Sequence, residues 1–232
     1  MVKEIVTDYE ALSVRSDEID VRKDGEKLRS IILGIKDTIR SNNLLSLSAV
    51  QIGEAYRVLC MKFDKNDLKT FVNPIITEVK GFELSRETCS SIPGKEYIRP
   101  RHSQVTVTYQ TPLGKIESRK FMGLAARVMQ HELDHLDGLL LSDIGMELSE
   151  DWDTATDDER AEVIKLYLDS LDIKAAEINS EIKSDPELTE LSDAIDFIDK
   201  VKTGEVRFEK TPEGEDIANQ LSELKATNKD NK

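Results

Sequence analysis

The sequence predicts an α+β fold, in which antiparallel β-sheets surround one central helix and an acidic, mostly helical C-terminal extension follows. Strand-like segments are grouped in the first half of the chain and an apolar helical segment comes after them, an order typical of α+β rather than alternating α/β folds. Charge marks the extension, because residues 151–232 hold 23 Asp+Glu against 11 Lys+Arg, whereas residues 1–150 hold 23 against 21. We therefore expect a domain over 1–150, an acidic helical hairpin over 151–204 and a polar, mobile tail over 205–232.

Composition limits the class of protein. A chain of 232 residues that is 38% hydrophobic and 34% charged can bury one substantial core. Its apolar runs are too short to span a membrane, and its acidic N-terminus resembles neither a signal nor a transit peptide, so we expect a cytoplasmic protein. Its two cysteines, Cys60 and Cys89, are expected to be free thiols in that compartment. The negative extension argues against direct nucleic-acid binding.

The first half of the chain is predicted to contain one helix and several strands. Apolar residues at helical spacing predict an amphipathic helix over residues 24–41. The segment "SLSAVQIG" is interpreted as a strand that bears Gln51 and ends at Gly53. Strands are also predicted for "YRVLCMKF" and for "LKTFVNPIITEV", in which Pro74 marks a bend or an edge. The alternating segment "SQVTVTYQTPLGKIESRKF" predicts a hairpin that turns at Pro112–Gly114.

The central helix is predicted over residues 122–140, where apolar residues and two histidines recur every three or four positions. Apolar residues at similar spacing predict a first helix in the extension. Asp185 as N-cap and Pro186 at the first helical position predict a second helix, which ends at Gly204.

The stretch "QHELDHLDG" places His131 and His135 four residues apart, so both imidazoles lie on one helix face and can hold one divalent ion. Glu132 points to the side and can reach a water molecule without being a ligand. The alternatives are two core histidines on an amphipathic helix, and a Glu132 carboxylate paired with Arg99 or Arg101.

A catalytic site of this kind needs a third protein ligand. An elongated protease motif would place a histidine at position 141, but that residue is Leu141. The remaining candidates are Cys89, in the polar segment "RETCSSIPG", and a group of downstream glutamates. Those glutamates are Glu147, Glu150 and Glu159.

Three motifs together resemble the peptide deformylase family. "QHELDHLDG" resembles its metal-binding helix, "ETCSS" resembles its E-G-C-L-S segment, and "LLSLSAVQ" resembles its G-x-G-x-A-A-x-Q segment. The motifs occur in the family's order, and the resemblance extends over residues 5–143. It implies that Cys89, His131 and His135 hold one ion, Fe(II) or, as substitutes, Zn(II), Ni(II) or Co(II).

The departures from the family pattern lie near the substrate. Leu44 and Ser46 stand where the family has glycines, and Ser48 replaces an alanine. In the cysteine motif, Thr88 replaces glycine and Ser90 replaces leucine. The sequence therefore predicts retained chemistry and an altered substrate cleft, since glycine allows close backbone approach.

The resemblance also implies a mechanism. Glu132 takes a proton from water and later gives it to the leaving amine, while Gln51 and the Ser90 backbone N–H stabilise the oxyanion. A Glu87–arginine pair, through Arg99 or Arg101, is expected to stiffen the metal loop. The residues expected to contact the substrate are Leu45, Ser46, Leu124 and Val128.

The partners implied are N-formyl-methionyl peptides in a compartment with bacterial-type translation. We expect a monomer with no membrane partner. The extension is expected to pack on the catalytic domain, to recognise another protein or to cap a dimer, and the ribosome is a further candidate partner that its negative charge disfavours. Two alternative hypotheses for the function of the protein are a metalloprotease of the HExxH type and a non-catalytic binding module with a deformylase-like fold.

Overall fold

The computed structural model describes residues 1–64 and 67–182. The helices are α1 (Tyr9–Leu12), α2 (Gly25–Ser41), α3 (Leu124–Leu136), α4 (Leu141–Ile144) and α5 (Asp157–Ile182). The strands are β1 (Ser46–Ser48), β2 (Val58–Asp64), β3 (Asp67–Cys89), β4 (Ile92–Gln110), β5 (Ile116–Met122) and β6 (Met146–Glu147), and a 3₁₀ turn covers Ala49–Ile52. They form one antiparallel sheet in the order β1-β2-β3-β4-β5, with β6 paired to β4. The predicted α+β class is confirmed.

The sheet is covered by a helix on each face, and strand β2 shows how. Val58 and Cys60 pack in the core below α2, while Leu59 and Met61, which alternate with them, pack in the core below α3. Both sets are buried because successive side chains of a strand point to opposite faces. The metal-binding helix predicted from sequence, α3, therefore lies across one face of the sheet.

The longest hairpin joins β3 to β4 and positions Cys89. Cys89 pairs with Ile92, so Ser90 and Ser91 form a two-residue turn directly after the cysteine. The register shifts between Val72 and Ile75, which is the bend that Pro74 predicted, since proline cannot donate to the ladder. The hairpin predicted at Pro112–Gly114 is also present and joins β4 to β5, with Gln110 opposite Ile116.

Helix boundaries differ in detail from the prediction. Helix α2 matches the predicted range of residues 24–41 closely. Helix α3 is shorter than the predicted 122–140, because Met122 belongs to β5 and Gly138, with φ +75°, turns the chain away after Leu136.

The chain divides into two compact units, Met1–Tyr167 and Leu168–Lys232. The first helix of the extension is present as α5. The second predicted helix and the predicted tail over 205–232 lie outside the described residues. None of the described helices is long and apolar enough to cross a membrane.

Candidate metal centre

Three potential metal ligands meet where α3 lies against the end of β3. The ligand atoms of Cys89, His131 and His135 all lie within 4.8 Å of one another. The Cys89 Sγ is 3.2 Å from His135 Nε2, and the two imidazole rings are 5.0 Å apart at an interplanar angle of 78°. The helix supplies the histidines from consecutive turns, as their spacing predicted, and the hairpin brings the cysteine to them.

The environment of Cys89 differs from the polar loop predicted for it. The residue ends a strand and is only 6% exposed, packed with Tyr97 and Leu141. The predicted absence of a disulfide is confirmed, since Cys60 and Cys89 are both free. Cys89 is thus a buried thiol that faces two imidazoles.

This donor set fits a divalent transition metal. A thiolate with two imidazoles is a ligand combination that zinc and ferrous iron accept. Burial, with the neighbouring charges of His131 and Arg101, lowers the pKa of His135, which favours the neutral imidazole that a metal needs. Burial also lowers the pKa of His131, but hydrogen bonds to Cys89 and Glu87 outweigh it and raise the value to about 10.

A buried network of charged side chains supports helix α3 beside the candidate ligands. Glu87 Oε2 lies 3.0 Å from His131 Nδ1, which leaves the Nε2 of that ring for the cluster. Arg101 binds the Glu87 carboxylate through two nitrogens, at 2.6 and 2.7 Å, and binds Asp134 at 2.6 Å. Although burial raises the pKa of the Glu87 carboxyl, bonds to Arg101 and His131 hold it well below its usual range.

The arginine partner of Glu87 is Arg101. Arg99, the other candidate, instead donates to Asp134 at 2.7 Å. The expected Glu–arginine pair is therefore present, but Arg99 acts on the network through Asp134 rather than through Glu87. Asp134 is not predicted from the sequence, because an acidic residue on a helix surface carries no signal of a buried partner.

Glu132 lies beside the ligands and is 2% exposed. Ser46 Oγ donates to its Oε1 at 2.6 Å, whereas its Oε2 is buried without a hydrogen-bond partner in the part of the chain that the structure describes. The alternative of an arginine partner for Glu132 is wrong, since Arg99 and Arg101 bind other carboxylates. Burial raises the pKa of the Glu132 carboxyl.

Gln51 is buried next to Cys89. It lies on the 3₁₀ turn that follows β1, not on the strand predicted for it. Its Oε1 accepts from the Ser48 backbone N–H at 3.0 Å and from the Ser48 hydroxyl at 3.1 Å. These bonds orient its Nε2 towards Ser91 Oγ at 3.2 Å and Cys89 Sγ at 3.7 Å. The Ser-x-x-Gln spacing of Ser48 and Gln51 is typical of a capping box and predicts this turn.

The remaining predicted residues lie around this cluster. Leu124 and Val128 are half-buried on the α3 face that continues to His131, and Val128 packs against the α3-side core. Leu45 is 41% exposed next to Ser46 on the approach to β1. Ser90 follows Cys89 in the hairpin turn and is half-buried. Their substrate contacts stay predictions.

The downstream glutamates either accept hydrogen bonds from other residues or are exposed. Glu147 accepts from Lys95 at 2.8 Å and from Tyr97 at 3.3 Å. Glu159 accepts from the Thr156 backbone N–H at 2.7 Å, at the start of α5. Glu150 is exposed. Within the described residues, the three-ligand cluster contains Cys89 instead, unlike the Glu-ligated site of the protease alternative.

Known proteins resemble this chain over the same region. The family model of the polypeptide deformylases matches residues 2–150. The peptide deformylase of Dictyoglomus turgidum is 36% identical over 129 residues, which are 56% of this chain and 84% of that protein. That of Thermomicrobium roseum is 33% identical over 150 residues, 61% of this chain and 85% of that protein.

Solved structures agree. A peptide deformylase from Legionella pneumophila superposes with a TM-score of 0.59 at 29% identity, covering 65% of this chain and 88% of its own. The peptide deformylase of Thermotoga maritima gives a TM-score of 0.58 at 29% identity, covering 62% and 97%.

Proposed function

The chain belongs to the polypeptide deformylase family, and we propose the part that its own residues take in removing the N-formyl group from nascent peptides. The convergence of one thiol and two imidazoles beside a buried carboxylate carries the proposal. Cys89, His131 and His135 hold one divalent ion. When bound, the ion supplies Lewis acidity, which lowers the pKa of a water molecule and polarises the formyl oxygen.

Glu132 moves the proton. Its Oε2 is the oxygen left without a hydrogen-bond partner among the described residues, so it is available to accept the proton of the attacking water. Burial raises the pKa of this carboxyl, which favours the protonated form that gives the proton to the leaving amine. The products are formate and a free N-terminal amine.

Gln51 and the Ser90 backbone stabilise the charge that develops on the formyl oxygen. The Gln51 amide is held with its Nε2 towards Cys89, at the edge of the metal cluster. Preorganised donors of this kind are effective because they need no reorientation during the reaction. The Ser90 role uses only its backbone N–H, so the serine side chain at this position is compatible with it.

The substrate is an N-formyl-methionyl polypeptide, and we place the methionine side chain against Leu45, Leu124 and Val128. Leu45 is exposed and the two helix residues are half-buried, so apolar surface is available beside the metal cluster. Such substrates arise only where bacterial-type translation occurs, which places the protein in that compartment. Replacing Val128 with a larger Phe should raise KM for formyl-Met peptides more than it lowers kcat.

We propose Fe(II) as the resident metal, with Zn(II), Ni(II) and Co(II) as substitutes, because a thiolate ligand suits each of these ions. Protein prepared without oxygen should contain iron, and exposure to air should inactivate the Fe(II) form faster than the Ni(II) form. Metal analysis with an activity time course in air measures both.

The catalytic domain is proposed to end near residue 150, where the family match stops, with a helical extension over 151–204 and a tail over 205–232. The extension is net negative, so a protein surface is a better partner for it than ribosomal RNA. We propose a monomer. Light scattering of the full chain tests the oligomeric state, and formate release by a truncation after Glu150 tests the boundary.

Formate release from a short formyl-Met peptide tests the function. The full chain should be prepared without oxygen and loaded with Fe(II) or Ni(II), beside Glu132→Gln. We expect release in the wild type and a loss of about 10²–10⁴-fold in the variant, the range for a general acid–base residue. Bound metal should stay stoichiometric in both. A wild type that binds metal but releases no formate would favour the non-catalytic binding module.

A further inference from the structure

We propose that Ser46 is a positioning residue for the general base, a role that rests on the proposed function of Glu132. Its hydroxyl holds one carboxylate oxygen of Glu132, and this leaves the other oxygen free for the proton. The role differs from the substrate contact that the sequence predicts for this residue.

The hydrogen bond from Ser46 makes the two oxygens of the Glu132 carboxylate inequivalent. Ser46 Oγ donates to Glu132 Oε1 at 2.6 Å, within the range of about 2.5–2.7 Å for hydroxyl donors to ionised carboxylates. The Oε2 atom is buried and makes no hydrogen bond of normal geometry among the described residues, although the Ser48 hydroxyl also interacts with this carboxylate. Because the terminal torsion of a glutamate is otherwise broad, this one strong bond restricts the orientation of the carboxylate plane.

The direction of the Ser46 side chain is set by the backbone of β1. Leu47, the next residue, is fully buried in the core below α2, so Ser46 must point to the opposite face, where α3 lies. Its register partner on β2 is Met61, which packs in the α3-side core. Lys62 N–H donates to the Leu45 carbonyl at 2.8 Å and extends the pairing. The strand therefore presents a fixed hydroxyl to Glu132.

The single hydroxyl proton of Ser46 distinguishes a positioning role from a substrate-binding role. A serine hydroxyl has one proton to donate, and here it goes to Glu132. The hydroxyl has no second proton for a peptide carbonyl while that bond exists. Glycine, which stands at this position in the motif that "LLSLSAVQ" resembles, has no side chain to make the bond. Loss of the hydroxyl should therefore lower kcat and leave KM nearly unchanged.

The test compares Ser46→Ala, Ser46→Thr and Ser16→Ala in the metal-loaded full chain. Ser16 is the matched control, because it is a buried serine whose hydroxyl has no partner among the described residues and whose backbone N–H donates to Leu136 of α3. We expect Ser46→Ala to lower kcat about tenfold, the effect of losing a hydrogen bond to a charged group. Its KM should stay within about twofold. Ser46→Thr, which keeps the hydroxyl, should recover most of the rate, and Ser16→Ala should match the wild type.

Metal affinity, measured by chelator competition, is the second readout. It should be equal in all four proteins, because Ser46 contacts none of the proposed ligands in the bonds described above. A Ser46→Ala variant with a raised KM and normal kcat overturns the inference, as does one with unchanged kinetics. Equal losses in Ser46→Thr and Ser46→Ala also overturn it.

If Ser46→Ala does not fold, Ser46→Gly removes the same hydroxyl and takes its place in the comparison with Ser46→Thr. A wild type that releases no formate overturns the proposed function and this inference together. An active wild type with an equally active Ser46→Ala overturns the inference alone.

Discussion

In two ion triads of the same composition, an arginine of the β3–β4 hairpin binds a glutamate of that hairpin and an aspartate from elsewhere in the chain. The buried triad consists of Arg101, Glu87 and Asp134, and the exposed triad consists of Arg86, Glu96 and Asp153. Side-chain exposure is 1%, 8% and 19% in the first and 43%, 37% and 72% in the second. Their arginine-to-aspartate distances are nearly equal, at 2.6 and 2.7 Å.

The difference between the triads teaches that burial, not geometry, sets what such an interaction does. Water screens the exposed triad, so it contributes little to stability. In the buried triad each charge has lost its water and depends on its partner. The buried triad also contacts His131 through Glu87, so its integrity bears on the metal centre as well as on folding.

Removing the buried arginine should have the largest effect. Arg101→Met leaves the buried Glu87 carboxylate without its arginine and Asp134 with Arg99 alone, and should lower the free energy of unfolding by about 3–5 kcal/mol. It should also weaken metal binding about 10–100-fold, because Glu87 orients His131. Urea unfolding and chelator competition measure the two effects. A loss below about 1 kcal/mol would mean that burial does not distinguish the triads.

Cys60 extends the comparison to an uncharged buried group. Burial raises the pKa of this thiol from 9.0 to about 11. The unfolded chain therefore loses its thiol proton near pH 9 and the folded chain near pH 11, so the free energy of unfolding should fall as pH rises between these values, by on the order of 2 kcal/mol. Unfolding curves of the wild type and Cys60→Ala at pH 8 and 11 isolate this effect. Equal pH dependence in the two proteins would contradict it.

Arg99 tests an intermediate case. Arg99→Met removes one of the two arginines on Asp134, but Arg101 remains on that carboxylate. Burial lowers the pKa of Arg99, and its Nε has no partner among the described residues, so its own desolvation offsets part of its contribution. We expect a loss of about 1–2 kcal/mol. A loss as large as that of Arg101→Met would show that the two arginines are equivalent.

The exposed arginine should have the smallest effect. Arg86→Met is expected to lower the free energy of unfolding by less than about 1 kcal/mol and to leave metal affinity and formate release unchanged. The difference from the wild type should shrink further in about 1 M salt, where exposed charges are screened within about 3 Å. Thermal unfolding in low and high salt measures it. A salt-insensitive loss would indicate a packing role for the arginine stem.

The two histidines of the proposed metal centre and the proposed general base, Glu132, could be predicted because their relation is local. The i, i+4 spacing of His131 and His135 fixes them on one face of any helix that forms, and the apolar pattern around them predicts that helix. The hairpin at Pro112–Gly114 also follows from alternation and turn residues. The β3–β4 hairpin does not, because the segment around Cys89 is polar and predicts a loop. Cys89 required the resemblance to a family, since a single cysteine in the sequence does not reveal what it faces.

The contacts that position these groups depended on the tertiary structure. Arg99 and Arg101 lie two residues apart on one strand, so their side chains leave the same face and the sequence cannot choose between them. Register alone places Arg101 opposite Glu83, yet it binds Glu87, because α3 brings Asp134 and His131 to that point. Ser46 and Glu132 are 86 residues apart, and only the docking of α3 on the face of β1 joins them. Periodicity and spacing determine the secondary structure of each segment and the side chains on each of its faces, whereas register and packing decide which of those side chains come into contact.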